Sequence, residues 1–128
     1  MAIVKKMNIF LILLAAGDSK RLRSNTPKPY QIINNKTLLE HTLGAFSAIN
    51  QIKKTIIVYN SGHKKHIKKL LLKNTIKIVG GKTRQESTFK ALKHIKKMNC
   101  KKVLIHDVAR PNSSSKLINE IIKKLDNN

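Results

Sequence analysis

The sequence predicts an α/β protein, a mostly parallel sheet with helices on both faces. Short apolar, β-branched runs alternate with longer stretches of helical period, the pattern of successive strand–helix–strand units. The run from Ile9 to Leu14 is apolar without interruption, as expected of a strand covered on both sides. Small-residue and charged segments fall just after strands, where ligands sit in open parallel sheets.

Met7 to Leu14 reads as the first strand. A loop then runs to Pro29, and Pro27 and Pro29 argue against helix through it. Tyr30 to Ile33 reads as a short extended piece and Asn34-Asn35 as a turn. Thr37 to Ile49 is expected to be helical, with Leu39, Leu43, Phe46 and Ile49 on one face. Thr55 to Tyr59 is a β-branched strand. Asn60-Ser61-Gly62 turns into a basic helix from His63 to Leu72 that carries Ile67, Leu70 and Leu71. Thr75 to Val79 is the third strand, ended by Gly80-Gly81. A helix from about Thr83 to Met98 follows, with Phe89, Leu92 and Ile95 inward. Lys102 to Ile105 begins the fourth strand, which delivers His106 and Asp107 at its end. Ser113 to Ser115 offers an N-cap, and the last helix has Leu117, Ile118, Ile121, Ile122 and Leu125 on one side.

At 128 residues this is one domain, 1–128, long enough for a core. The formal charge of +21 invites a nucleic-acid reading. The excess is almost all lysine spread over every segment, which argues against one, while a field of this sign still draws anionic substrates. Cys100 is the single cysteine, so no intrachain disulfide forms, in keeping with a reducing compartment such as the cytoplasm. No apolar run reaches the roughly 18 residues of a membrane span. Met1 to Leu14 has basic residues before an apolar run, but that run is needed as the first strand, which rules out a signal-peptide reading.

Three segments carry the candidate chemistry. The first is Leu14-Ala15-Ala16-Gly17-Asp18-Ser19-Lys20-Arg21-Leu22-Arg23, continuing to Thr26-Pro27-Lys28-Pro29-Tyr30. A buried strand, a small-residue turn and a cationic loop make either a polyphosphate seat or a plain turn with a solvated basic loop. It has neither the P-loop nor the GxGxxG spacing. The second, Gly80 to Thr88, pairs two glycines with Arg84 and Ser87, either aimed at a ligand or simply opening a helix whose dipole Glu86 balances. The third is Ile105-His106-Asp107-Val108-Ala109-Arg110-Pro111. Asp107 is one of six acids in the chain and stands at a strand end, where a carboxylate can hold a divalent cation or a sugar hydroxyl. Arg110 can bind phosphate bidentately; the alternative is a surface Asp–Arg pair. His41, His63, His66 and His94 show no metal-ligand spacing and read as surface or packing residues. Cys100 lacks a nucleophile's context.

Together these motifs resemble the 2-C-methyl-D-erythritol 4-phosphate cytidylyltransferase family. The residues that carry the likeness are Leu-Ala-Ala-Gly-x-x-x-Arg-Leu, Pro-Lys-x-Tyr, Leu-x-His-Thr-Leu, Gly-Gly-x-x-Arg-x-x-Ser and His-Asp-x-Ala-Arg-Pro, in order across nearly the whole chain. The resemblance implies a Rossmann-like nucleotidyltransferase fold. It also implies a reaction of CTP with methylerythritol phosphate, aided by Mg²⁺ or another divalent cation, in non-mevalonate isoprenoid precursor synthesis. A related family makes CDP-ribitol, but Ala15-Ala16-Gly17 and Asp107-Val108-Ala109 fit the erythritol enzyme better.

By resemblance, Arg21 and Lys28 are the catalytic cations, and Ala15, Ala16, Gly17 and Ser19 line the nucleotide and its phosphates. Gly81 and Ser87 face the cytosine, Arg84 lies near the nucleotide, and Asp107 lies beside the ribose and the metal. Arg110 faces the substrate phosphate. Ser19 stands where the family usually has a second glycine, Pro29 where a glutamine is usual, and Lys82 where an acid is common. The family continues for roughly a hundred further residues, including a dimerisation arm. The expectation is therefore the N-terminal, nucleotide-binding part of a homodimeric enzyme, with the sheet incomplete at the C-terminus, active or else an inactive CTP-binding fragment.

Overall fold

The strand Ile9–Ala15 (β1) is the centre of the molecule, and all seven of its residues are buried. The computed structural model describes residues 8–17 and 26–108, together with Glu120, Lys123 and Lys124. Within them follow β2 (Ile32–Ile33), β3 (Lys36–Thr37), α1 (Leu38–Ser47), β4 (Ile52–Tyr59), α2 (Lys64–Lys68), β5 (Thr75–Val79), α3 (Arg84–Ile95) and β6 (Lys102–Asp107). The main sheet has the order β5-β4-β1-β6, and every neighbouring pair in it is parallel. The chain steps outward from β1 to β4 to β5, then returns across the sheet to the other side of β1. That reversal makes the β1–β6 boundary the topological switch point, whose carboxyl edge is the preferred ligand site.

Alternation along β1 divides the core. Ile9, Leu11 and Leu13 join Leu38, Leu39, Phe46, Ile57 and Ile67 in a cluster under α1 and α2. Phe10, Ile12 and Leu14 join Ile56, Val58, Ala91 and Ile95 under α3. Both faces are covered, as the unbroken apolar run requires. The same alternation acts on β6, whose His106 and Asp107 pair in register with Leu13 and Leu14. His106 therefore faces the α1 side, its ring 5.2 Å from that of Phe46, while Asp107 faces the α3 side.

Helix α1 starts where the sequence says it must. Thr37 Oγ1 accepts from the Glu40 amide at 3.1 Å, and the Glu40 carboxylate accepts from the Thr37 amide at 3.0 Å. This reciprocal cap contributes about 1 kcal/mol. Before it, Asn34 and Asn35 take φ of 50° and 70°, the left-handed pair that closes the β2–β3 hairpin.

Four local expectations are corrected. Tyr30 does not start an extended piece. It ends a single 3₁₀ turn, Lys28–Tyr30, which tolerates Pro29 because proline suits a first helical turn. The basic helix does not reach Leu72 but stops after five residues at Lys68. Lysines four apart repel along it, it holds no acid, and Ile67 is its one buried side chain. Leu71 is consequently 98% exposed. Helix α3 ends at Ile95 rather than Met98 and buries Ser87, Ala91 and Ile95. Ile95 is inward as expected, but Phe89 is 64% and Leu92 39% exposed. The small residues at 87 and 91 let α3 lie close to the sheet, and that contact sets the inward face. Finally, β4 starts at Ile52, earlier than its β-branched core suggests, while β6 runs Lys102–Asp107 and carries His106 and Asp107 at its end as expected.

Met7, Ser113 to Ser115 and the apolar positions expected in a last helix lie outside the described residues; Glu120, Lys123 and Lys124 are helical and exposed. Among the described residues no helix is long and apolar enough to cross a membrane.

Candidate functional site

The carboxyl ends of all four parallel strands open on one cleft of about 900 Å³. Its lining takes Ala15, Ala16 and Gly17 from β1, Asn60 and Ser61 from β4, Gly80 and Gly81 from β5, and Asp107 from β6. Lys28 and the first turns of α3 complete it. Thus Ala15, Ala16, Gly17, Lys28, Gly81, Arg84, Ser87 and Asp107, chosen from three segments far apart in sequence, share one cavity. Ser19, Arg21 and Arg110 lie outside the described residues.

The glycine pair after β5 is demanded by close approach. A methyl group on Gly80 would sit 2.5 Å from Ala16 Cβ and 2.7 Å from Ser87 Oγ, and one on Gly81 would run into the Glu86 side chain. Helix α3 then holds this turn with its own side chains. Ser87, only 2% exposed, accepts from the Gly81 amide at 3.0 Å. Glu86 accepts from the Lys82 amide at 3.1 Å, and Lys90 Nζ reaches the Gly80 carbonyl at 3.4 Å. Thr83 caps the helix by accepting from the Glu86 amide. Gly17 differs: no described atom lies within 4 Å of where its Cβ would be, and its φ is not positive.

Arg84 and Asp107 meet across the cleft mouth, with Nε donating to Oδ1 at 3.2 Å. The sequence nominated both separately, and the fold pairs them. Arg84 is 60% exposed, so the pair adds little stability, but it aims both groups at the same space. Among the described residues no group of three or more His, Cys, Asp or Glu gathers to bind a metal, and Asp107 stands as the strand-end carboxylate.

Lys28 is set by the turn that carries it. Pro29 and Tyr30 are buried beneath, and Tyr30 stacks on His66 with ring centres 5.1 Å apart and planes 18° apart. His63 meets the same ring edge-on at 5.9 Å. These histidines are packing residues, as their spacing suggested. Burial, and secondarily the neighbouring Tyr59, pushes the Tyr30 phenol up to about 12, so it stays neutral. Its Oη is buried and has no hydrogen-bond partner among the described residues.

Sequence reasoning passed over Asn60, Ser61 and Lys90 as cleft residues. The rule that found Asp107, a polar side chain just past a buried parallel strand, applies equally to Asn60 after Tyr59. Lys90 left no signal, because one more lysine in so basic a chain is not distinctive.

A sheet of this order, with a small-residue turn after its first strand and a cleft at its carboxyl edge, is an α/β fold of Rossmann-like architecture. Its structural neighbours are of that kind. They include 4-diphosphocytidyl-2C-methyl-D-erythritol synthase of Anaerococcus prevotii (TM-score 0.77, 30% identity, covering 94% of this chain and 51% of that one). Another is the bifunctional IspDF of Campylobacter jejuni (TM-score 0.78, 32% identity, 94% of this chain and 31% of that one). Residues 9–128 match the 2-C-methyl-D-erythritol 4-phosphate cytidylyltransferase family, and the chain belongs to it. It is 50% identical over 119 residues to the bifunctional enzyme IspD/IspF of Pelagibacter ubique, covering 93% of this chain and 32% of that protein. It is 40% identical over 117 residues to the cytidylyltransferase of Wigglesworthia glossinidia brevipalpis, covering 90% and 50%. The chain thus spans about half the length of the single-function relatives and about a third of the bifunctional ones.

Proposed function

We propose that this chain transfers a cytidylyl group from CTP to 2-C-methyl-D-erythritol 4-phosphate and releases pyrophosphate. The observation that carries the reading is the convergence of Ala15–Gly17, Lys28, Gly81, Arg84, Ser87 and Asp107 on one cleft in a chain of this family. The acceptor's phosphate oxygen attacks the α-phosphorus of CTP in line, the new phosphoanhydride bond forms, and the bond to the β-phosphate breaks. Lys28 and Arg21 stabilise the charge that builds on the α-phosphate, which is electrostatic rather than covalent catalysis. Ala15, Ala16, Gly17 and Ser19 receive the nucleotide's phosphates. Gly81 and Ser87 bound the base end, Arg84 steers the nucleotide, and Arg110 holds the acceptor's phosphate. One carboxylate beside a polyphosphate is a donor set that suits a hard cation. Asp107 would hold Mg²⁺ or another divalent ion together with phosphate oxygens, and the ion would neutralise charge on the leaving pyrophosphate. We place the reaction in the cytoplasm and take the family's homodimer as the assembly of the longer enzyme.

Pyrophosphate release with CTP, methylerythritol phosphate and Mg²⁺ tests the reading. Turnover is expected in the wild-type chain and should fall about 10²- to 10³-fold in Lys28→Ala. Saturable CTP binding without turnover would instead favour a second reading, a nucleotide-binding half-site. Absence of both would overturn the proposal.

A further inference from the structure

We infer that Asn60 is a positioning residue of the cleft, whose amide ties the turn after β1 to the end of β4 and so shapes the seat of the nucleotide's phosphates. The inference rests on the CTP-binding reading above and goes one step beyond it.

Asn60 leaves β4 in extended conformation, and its side chain bonds in two directions. Oδ1 accepts from the Gly62 amide at 2.8 Å, closing a local turn. Nδ2 donates to the carbonyl of Ala16, 44 residues earlier, at 3.3 Å. The first bond fixes which end of the amide is oxygen, so the end that faces Ala16 is the donor. The Ala16–Gly17 peptide is planar and trans, so holding the Ala16 carbonyl also sets the direction of the Gly17 N–H on the opposite side of that plane. Ala16, Gly17 and Asn60 all line the cleft. Gly80, the third strand end, closes against this arrangement: its amide donates to the Tyr59 carbonyl at 2.8 Å, and it has no room for a Cβ beside Ala16. Three strand ends therefore meet around one peptide, and beyond the last ladder pair, Ala15 and Tyr59, the Asn60 amide ties the end of β4 to the turn after β1.

Two variants separate this role from a plain turn function. Asn60→Ala removes both bonds. Asn60→Asp keeps the shape and the acceptor for Gly62, but turns an oxygen toward the Ala16 carbonyl. Binding of CTP and of cytidine by the full chain is measured by calorimetry for each, together with the melting temperature. Loss of one positioning hydrogen bond is expected to weaken CTP about fivefold in Asn60→Ala and leave cytidine within about twofold, because cytidine has no phosphates to seat. Asn60→Asp should lose at least as much for CTP. The loss should persist at high salt, where a pure charge effect is screened. Unchanged CTP affinity in both variants overturns the inference, as does an equal loss for CTP and cytidine, the mark of a merely structural residue. A wild-type chain that binds cytidine no worse than CTP overturns the phosphate reading and the inference with it.

Discussion

The two faces of the sheet follow different rules. Under α1 and α2 the core is built of large aliphatic and aromatic side chains, Leu11, Leu13, Leu39, Phe46, Ile57 and Ile67, in a cluster without glycine. Under α3 the cleft end narrows to Ala16, Gly80 and Ser87, small residues that crowd one another. Both faces gain stability from area removed from water. The second gives up side-chain volume so that a helix start, two loops and a strand end converge. Binding is thus added at the carboxyl end of one of two faces that are both packed cores.

That contrast is broken most severely by Leu39→Ala. The side chain is fully buried, so a loss of about 2–5 kcal/mol is expected. Chemical denaturation should show it, with CTP affinity unchanged in the fraction that stays folded. Gly80→Ala tests the other face. Its new methyl would meet Ala16 and Ser87, for a cost of about 1–3 kcal/mol. CTP binding should fall more than stability does, and equal losses at both positions would dissolve the distinction. A smaller effect is expected at Tyr30, which belongs to the α1 side yet carries Lys28. Its phenol titrates near 10 in the unfolded chain and near 12 in the folded one. The folded state therefore retains the proton longer, and the contribution of Tyr30, complete below pH 10, is lost as pH rises through 12. Tyr30→Phe removes a hydroxyl without a partner among the described residues and should flatten the alkaline end of the stability–pH curve, with little change at pH 7.

Much of this was legible because it is local. The apolar run of β1, the β-branched stretch Thr75–Val79, the Asn34-Asn35 turn and the start of α1 at Thr37 each announce themselves within a few residues. The gathering of the motifs was legible too, since strand order and the carboxyl-edge rule bring them together without any side-chain detail. What escaped depends on contacts between distant segments. Phe89 looks like a core residue until Ala91 and Ser87 are seen to set how closely α3 lies on the sheet. The run to Leu72 looks helical until its lysines find no acid and no core. Asn60 looks like a turn until its amide reaches Ala16. Arg84 and Asp107 were each noticed, but their bond belongs to the fold rather than to either motif.

The alternation of β6 has a consequence for how this chain can change over generations. His106 and Asp107 are adjacent, yet one packs beside Phe46 and the other stands in the cleft. Inserting or deleting one residue within β6 would exchange them, driving a carboxylate into the aromatic core and an imidazole into the ligand space in a single event. Such a lesion has no mild intermediate, because a pleated strand has only two sides. Length variation in this part of the chain should therefore accumulate in the connection between α3 and β6 and stay out of the strand, leaving the His-Asp pair a fixed frame against which the loops drift.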